Sequence, residues 1–180
     1  MGVSAAALVT AARLPQAQDT SVPAKLTTLL NVVPLELSDT VGFQQFLLRL
    51  DHDSRRRRFG REIGDGALRA HAVRALTDSV RTFGVFHNGD LRGVIELYAL
   101  SADPMLEAAV VVEPQWRRRG LAWALVQQAM RLYPGASFRL AFARDNWPMR
   151  ALVAKAHARI DLVLNEVFAD IDMPILERPS

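Results

Sequence analysis

Val110-Val111-Val112-Glu113-Pro114-Gln115-Trp116-Arg117-Arg118-Arg119-Gly120-Leu121-Ala122 is the stretch that decides how this chain folds. A β-branched run reads as a strand and stops at Pro114. A short basic turn follows. A helix then starts near Gly120 and carries Leu121, Leu125 and Met130 at helical spacing. A strand that feeds a turn and then a helix N-terminus leaves several backbone N–H groups unpaired at one point. The helix dipole adds partial positive charge there, and Arg117, Arg118 and Arg119 add full charges. This is an anion site with the makings of a pyrophosphate cradle. Gly120 suits it, because a side chain at that point would hold a phosphate away from the backbone.

Working outward, the β-rich stretch 27–37 reads as a first strand. Ser38 or Asp39 can cap a helix that runs through Leu50 and carries Phe43, Phe46, Leu47 and Leu50 on one face. A second helix is expected from about Asp65 to Leu76. Phe83 to Phe86 and Leu91 to Leu100 flank Asn88-Gly89, a pair that favours a two-residue hairpin turn with positive φ at both positions. Strands follow at 106–112 and 138–143, separated by a helix over 121–132. Pro148 sits in the first turn of a helix reaching about Ala158. Two short strands, 160–163 and 166–173, close the order β-α-α-β-β-β-α-β-α-β-β. Residues 1–24, with Pro15 and Pro23 and no sustained period, read as a flexible tail, and 25–180 as one domain.

Composition narrows the chemistry. There are no cysteines, so disulfides, thiolate metal sites and a Cys nucleophile are excluded. Four histidines show no ligand spacing, and no metal site is expected. The pI near 9.9 comes with a net charge of only +3. Lys25 and Lys155 are the only lysines among the basic residues, and no aromatic and basic stacking platform is visible, so nucleic acid is not an expected partner. No apolar run reaches the ~20 residues of a membrane span. Arg13 follows the apolar stretch near the start of the chain rather than preceding it, against the order of a signal peptide. The chain therefore reads as cytoplasmic, a monomer or a homodimer, with no membrane partner.

The spacing Arg117-x-x-Gly120-x-Ala122 resembles motif A of the GNAT superfamily of N-acetyltransferases. Asp145-Asn146-Trp147-Pro148-Met149-Arg150-Ala151-Leu152 is similar to the family's motif B. Phe46-Leu47-Leu48-Arg49-Leu50-Asp51-His52-Asp53-Ser54-Arg55-Arg56-Arg57-Arg58-Phe59 looks like the helical segment of a bacterial subgroup that includes the acetyltransferase domain of protein lysine acetyltransferases. Glu107-Ala108-Ala109-Val110-Val111-Val112 matches that subgroup's fourth strand. The resemblance covers roughly residues 26–174. It implies an α/β (α+β) GNAT fold: a mixed, mostly antiparallel twisted sheet of about seven strands, flanked by about four helices, with the fourth and fifth strands splayed.

The resemblance also implies acetyl-CoA as co-substrate. Its pantetheine arm would pair with the backbone of Val110, Val111 and Val112, and its pyrophosphate would lie on Arg117, Arg118, Arg119, Gly120, Leu121 and Ala122. Asn146 would contact the pantetheine or the acceptor, or would only cap its helix. The acceptor is an amine, on a small molecule or a protein.

Amide formation needs a deprotonated amine and a route for its proton. Glu107 is the first candidate for the base. Alternation puts it on one face with Ala109 and Val111, the subgroup resemblance places a catalytic Glu there, and burial among apolar neighbours would strengthen it. Glu96, a charge inside the apolar run Val94-Ile95-Glu96-Leu97, is the second. Glu113 is expected in solvent at the turn. The run Arg55 to Arg58 reads as a solvated helix face, or as a basic wall of the acceptor groove or a grip on the CoA 3′-phosphate. One departure matters: many members carry a Tyr seven residues past the motif B Asn to protonate the leaving thiolate, and here that residue is Val153. His157 or water would have to serve. The reading is an acetyl-CoA-dependent N-acetyltransferase acting by direct attack in a ternary complex. A non-catalytic acyl-CoA-binding regulatory module is the alternative.

Overall fold

In the computed structural model, residues 31–101 and 104–172 are described, and the expected tail and the beginning of the first strand lie outside them. Seven strands form one sheet: β1 (Val32–Pro34), β2 (Arg81–His87), β3 (Asp90–Ala99), β4 (Met105–Val112), β5 (Ser137–Ala143), β6 (Arg159–Val163) and β7 (Glu166–Asp172). Their order across the sheet is β1-β2-β3-β4-β5-β7-β6. Every neighbouring pair is antiparallel except β4 with β5. The Asn88-Gly89 turn closes the β2–β3 hairpin with φ of 51° and 81°, as its sequence required.

Five helices flank the sheet rather than about four: α1 (Thr40–Arg49), α2 (His52–Phe59), α3 (Asp65–Asp78), α4 (Leu121–Leu132) and α5 (Trp147–Lys155). The extra one is α2. Leu50 leaves helical geometry with ψ of 135°, and Asp51 then caps a new helix by accepting from the Ser54 N–H at 2.7 Å. Gly60, with φ of 68°, ends it in the left-handed conformation that suits glycine.

Two apolar layers hold the sheet. On one face Phe43, Phe46 and Leu47 of α1 and Leu68, Ala72 and Ala75 of α3 pack with Leu91, Val94 and Val111. On the other, Leu121, Leu125, Val126 and Ala129 of α4 and Leu152 and Val153 of α5 pack with Ile95, Leu97, Ala108 and Val112. The alternation of β4 follows: Leu106, Ala108 and Val112 face α4, while Glu107, Ala109 and Val111 face α1–α3.

The parallel pairing of β4 with β5 covers only Met105↔Ser137, Leu106↔Phe138 and Glu107↔Arg139. Beyond Glu107 the two strands diverge, and neither edge has a strand partner on that side. This splay is the feature that positions the site.

Candidate acyl-donor cleft

A cleft of about 670 Å³ occupies the splay. Its floor is residues 107–112 of β4, with Ala141 and Phe142 of β5 opposite. The first turns of α4 and α5 close two sides, and Asp53, Ser54, Arg57 and Arg58 of α2 cross its mouth.

At one end lies the loop expected to hold the pyrophosphate. Glu113 turns the chain out of β4 and Pro114 starts a single 3₁₀ turn to Trp116. Arg118 and Gly120 then adopt left-handed backbone, with φ of 60° and 83°. For Arg118 this conformation costs about 1–2 kcal/mol, a strain kept where the backbone must present its N–H groups in one direction. No described residue accepts from the N–H groups of residues 118–122. Left-handed residues beside unpartnered N–H groups, at the positive end of α4, are the elements from which anion nests are built. A β strand edge without a partner, an amide nest and a cleft between them suit a long, thin donor with a diphosphate.

The arginines of the loop do different jobs. Arg117 and Arg118 line the cleft. Arg117 is committed inward, donating to the Ser54 hydroxyl at 2.6 Å and to the Val112 carbonyl at 3.3 Å. Arg119, expected at the pyrophosphate, stacks on the Trp116 ring at 4.7 Å and does not line the cleft.

Glu113 is not in solvent. It is fully buried, bonded to Arg49 at 2.6 Å and to Arg92 at 3.0 Å. Both arginines reach it from neighbouring elements, so the turn after β4 is anchored by charge rather than left free.

Glu107 lines the cleft at the last β4–β5 pair. It is exposed, against the expectation of burial. Glu107 shares its face with Ala109 and Val111 as strand alternation requires, but the divergence of β5 opens that face to the cleft. Glu96 is the reverse. It is fully buried and does not line the cleft. Its Oε2 receives bonds from Arg58 and Tyr98, both at 2.7 Å, and lies 3.0 Å from His71 Nε2. Burial pushes its carboxyl up, but the Arg58 guanidinium and the bonds from His71 and Tyr98 outweigh this and hold it at about 2. A carboxylate that holds a proton so weakly, and touches no substrate space, is a poor base. Glu96 is therefore a structural anchor.

That anchor has a measurable consequence. Removing one partner of a buried ion pair costs about 3–5 kcal/mol, so Arg58→Met should lower unfolding stability by about that much in urea titrations. The pair also sets an acid limb. The folded value lies below the ordinary 4.5. Its contribution is therefore complete above pH 4.5 and is lost as pH falls toward 2. Glu96→Gln should flatten that limb, and an unchanged limb would contradict the assignment.

The arginine run is divided: Arg56 and Arg57 are exposed, Arg57 and Arg58 line the cleft, and most of the charge is paired. Arg55 donates to the Leu48 and Leu50 carbonyls and pairs with Asp65. Arg57 pairs with Asp53 at 2.7 Å and Asp145 at 3.4 Å. Arg58 holds Glu96, and Arg56 stays at the surface, 3.4 Å from Asp53. Charge that is already matched leaves little to repel a cationic acceptor.

Asn146 caps α5, its Oδ1 accepting from the Met149 N–H at 3.3 Å, and also lines the cleft. Val153 is buried in the core. The chain's two tyrosines do not replace the missing acid, since neither lines the cleft. Burial, then the Glu96 charge, pushes the Tyr98 phenol up, and burial also raises Tyr133. His157 is exposed just past α5 and is absent from the cleft wall. Trp123, Trp147 and Lys155 do line it, unforeseen from the sequence, with Lys155 Nζ 4.7 Å from the Trp123 ring. Their only advance signal was an aromatic in the first turn of each of two helices. Among the described residues there is no cluster of three or more His, Cys, Asp or Glu side chains able to hold a metal, and no helix long and apolar enough to cross a membrane.

The family model described as Acetyltransferase (GNAT) family matches residues 47–157. No curated protein matches the chain in sequence. Among solved structures, the GNAT domain of S. lividans PAT is similar with a TM-score of 0.66 and 15% identity, over 80% of this chain and 90% of that one. Spermidine N-acetyltransferase from Vibrio cholerae, in complex with CoA and spermine, gives 0.66 and 15%, over 82% and 98%. PaiA N-acetyltransferase from Thermoplasma acidophilum, in complex with coenzyme A, gives 0.60 and 15%, over 79% and 98%. At such identities these likenesses establish the fold alone.

Proposed function

The chain belongs to the acetyltransferase (GNAT) family, an acyltransferase using acetyl-CoA, and we propose that it moves the acetyl group to an amine by direct attack in a ternary complex. The observation that carries this reading is the meeting of three features in one cleft: the free edge of β4, the amide nest at 118–122 and the exposed carboxylate of Glu107. The donor supplies an activated acyl group whose thiolate is a tolerable leaving group near neutral pH. The backbone of Val110 to Val112 orients its pantetheine arm, and the N–H groups of 118–122 hold its pyrophosphate. Glu107 takes the proton of the incoming amine, directly or through one water. Without a cysteine, no residue thiolate carries the acyl group between substrates. Solvent returns a proton to the leaving thiolate, since Tyr98 is locked on Glu96.

The acceptor belongs to one of two classes, a protein lysine or a small amino compound. The neutralised arginine run leaves the second open to cationic amines. Thiol release from acetyl-CoA, followed against a lysine peptide, polyamines and amino acid amides, should show release above the hydrolysis background with at least one class. The absence of a cleft tyrosine favours a second reading, an acyl-CoA-binding module without turnover. CoA binding with no amine-dependent thiol release across the panel would support that instead.

A further inference from the structure

Helix α2 crosses the cleft with one large apolar side chain, Phe59 at its last position, which packs against the α1–α3 core and meets the His71 ring at 4.9 Å. In His52-Asp53-Ser54-Arg55-Arg56-Arg57-Arg58-Phe59 only Ser54 is buried. An eight-residue helix is marginal by itself, so Phe59 seats its C-terminal end and polar fastenings decide where the first turns sit.

These fastenings differ in kind. At the C-terminal end Arg58 enters the sheet and holds Glu96 at 2.7 Å, away from the cleft floor. Arg55 ties α2 to the end of α1. Arg57 reaches Asp145 across the mouth, but both side chains are partly exposed, and such pairs contribute little. The remaining bond runs from Arg117 to Ser54, at 2.6 Å on a residue only 2% exposed. It is charge-assisted and shielded. Ser54 in turn donates to Asp51, the N-cap of α2. Of these ties, this one begins on the phosphate loop itself.

We propose that Ser54 is a positioning residue that couples occupancy of the phosphate loop to the seating of α2 over the cleft. The inference rests on the reading of residues 118–122 as the donor's pyrophosphate site. An anion on those N–H groups fixes the loop, and Arg117 is its first residue. A fixed Arg117 restricts the Ser54 hydroxyl, and with it the first turn of α2. Asp53, Ser54, Arg57 and Arg58 form the wall over the cleft, so the acceptor's side is completed only once the donor is in place. Linkage makes the coupling reciprocal: a seated α2 favours the donor to the same extent.

The test is amide hydrogen exchange over residues 50–60 with and without saturating CoA, with calorimetry to verify binding. In the wild type, CoA should slow exchange about fivefold or more, the lower range of ordinary coupling between sites. Ser54→Ala should bind CoA yet lose that slowing, and Ser54→Thr, which keeps the hydroxyl, should restore it. Arg117→Lys keeps the loop's charge but not the fork that spans Ser54 and Val112, and should behave like Ser54→Ala if the alanine variant does not fold. A merely structural role would speed exchange equally in both states and leave the ratio intact, which would overturn the proposal. So would an unchanged fivefold slowing in Ser54→Ala. A wild type that binds no CoA would instead remove the donor reading on which the coupling stands.

Discussion

Gly120→Glu should abolish measurable CoA binding. Gly120 holds φ of 83°, where a side chain costs about 1–2 kcal/mol. A Cβ built there meets nothing within 4 Å, so the fold tolerates it and the new carboxylate enters open space beside the nest. A negative charge set against a pyrophosphate adds several kcal/mol of repulsion. The repulsion alone exceeds about 10²–10³-fold in affinity, while the backbone strain acts on folding. Gly120→Ala carries the strain without the charge and should bind CoA near the wild-type level while lowering stability by about 1–2 kcal/mol. Calorimetry reads both, and equal CoA affinity in Gly120→Glu would remove the phosphate loop from the account.

Glu107→Gln should lower kcat by about 10²–10⁴-fold, the usual contribution of a positioned base, with CoA affinity near that of the wild type. The substitution keeps shape and removes the proton acceptor. Because Glu107 is exposed in the cleft and pairs with no described cation, its loss leaves no buried charge behind, and stability should be unchanged. Full activity in Glu107→Gln would mean that solvent deprotonates the amine and the site contributes only positioning.

The order of elements along the chain and the strand–turn–helix over 110–122 were legible because they rest on local rules. A β-branched run, a proline stop, Gly120 and an amphipathic helix each carry their own signal, and Asn88-Gly89 specifies its turn. The carboxylates were not legible. Glu96, Glu107 and Glu113 all border apolar stretches, and their burial depends on what packs across from them. Strand β5 leaves Glu107 open by diverging, while α2, α3 and β3 bring Arg58, His71 and Tyr98 to Glu96. Arg49 and Arg92 bury Glu113 from residues far away in sequence. The break at Leu50 was visible in part, since Asp51 and Ser54 stand at cap spacing, but an uninterrupted polar and basic run masked it. That α2 then crosses the cleft is a tertiary fact with no local signature.

On this reading the splay between β4 and β5 holds the acyl donor. A crystal structure grown with CoA tests it most directly. The predicted result is the pyrophosphate on the N–H groups of residues 118–122, the pantetheine arm along Val110 to Val112, and the thiol within reach of Glu107. CoA bound anywhere else on the molecule, or the cleft empty at saturating CoA, would contradict it.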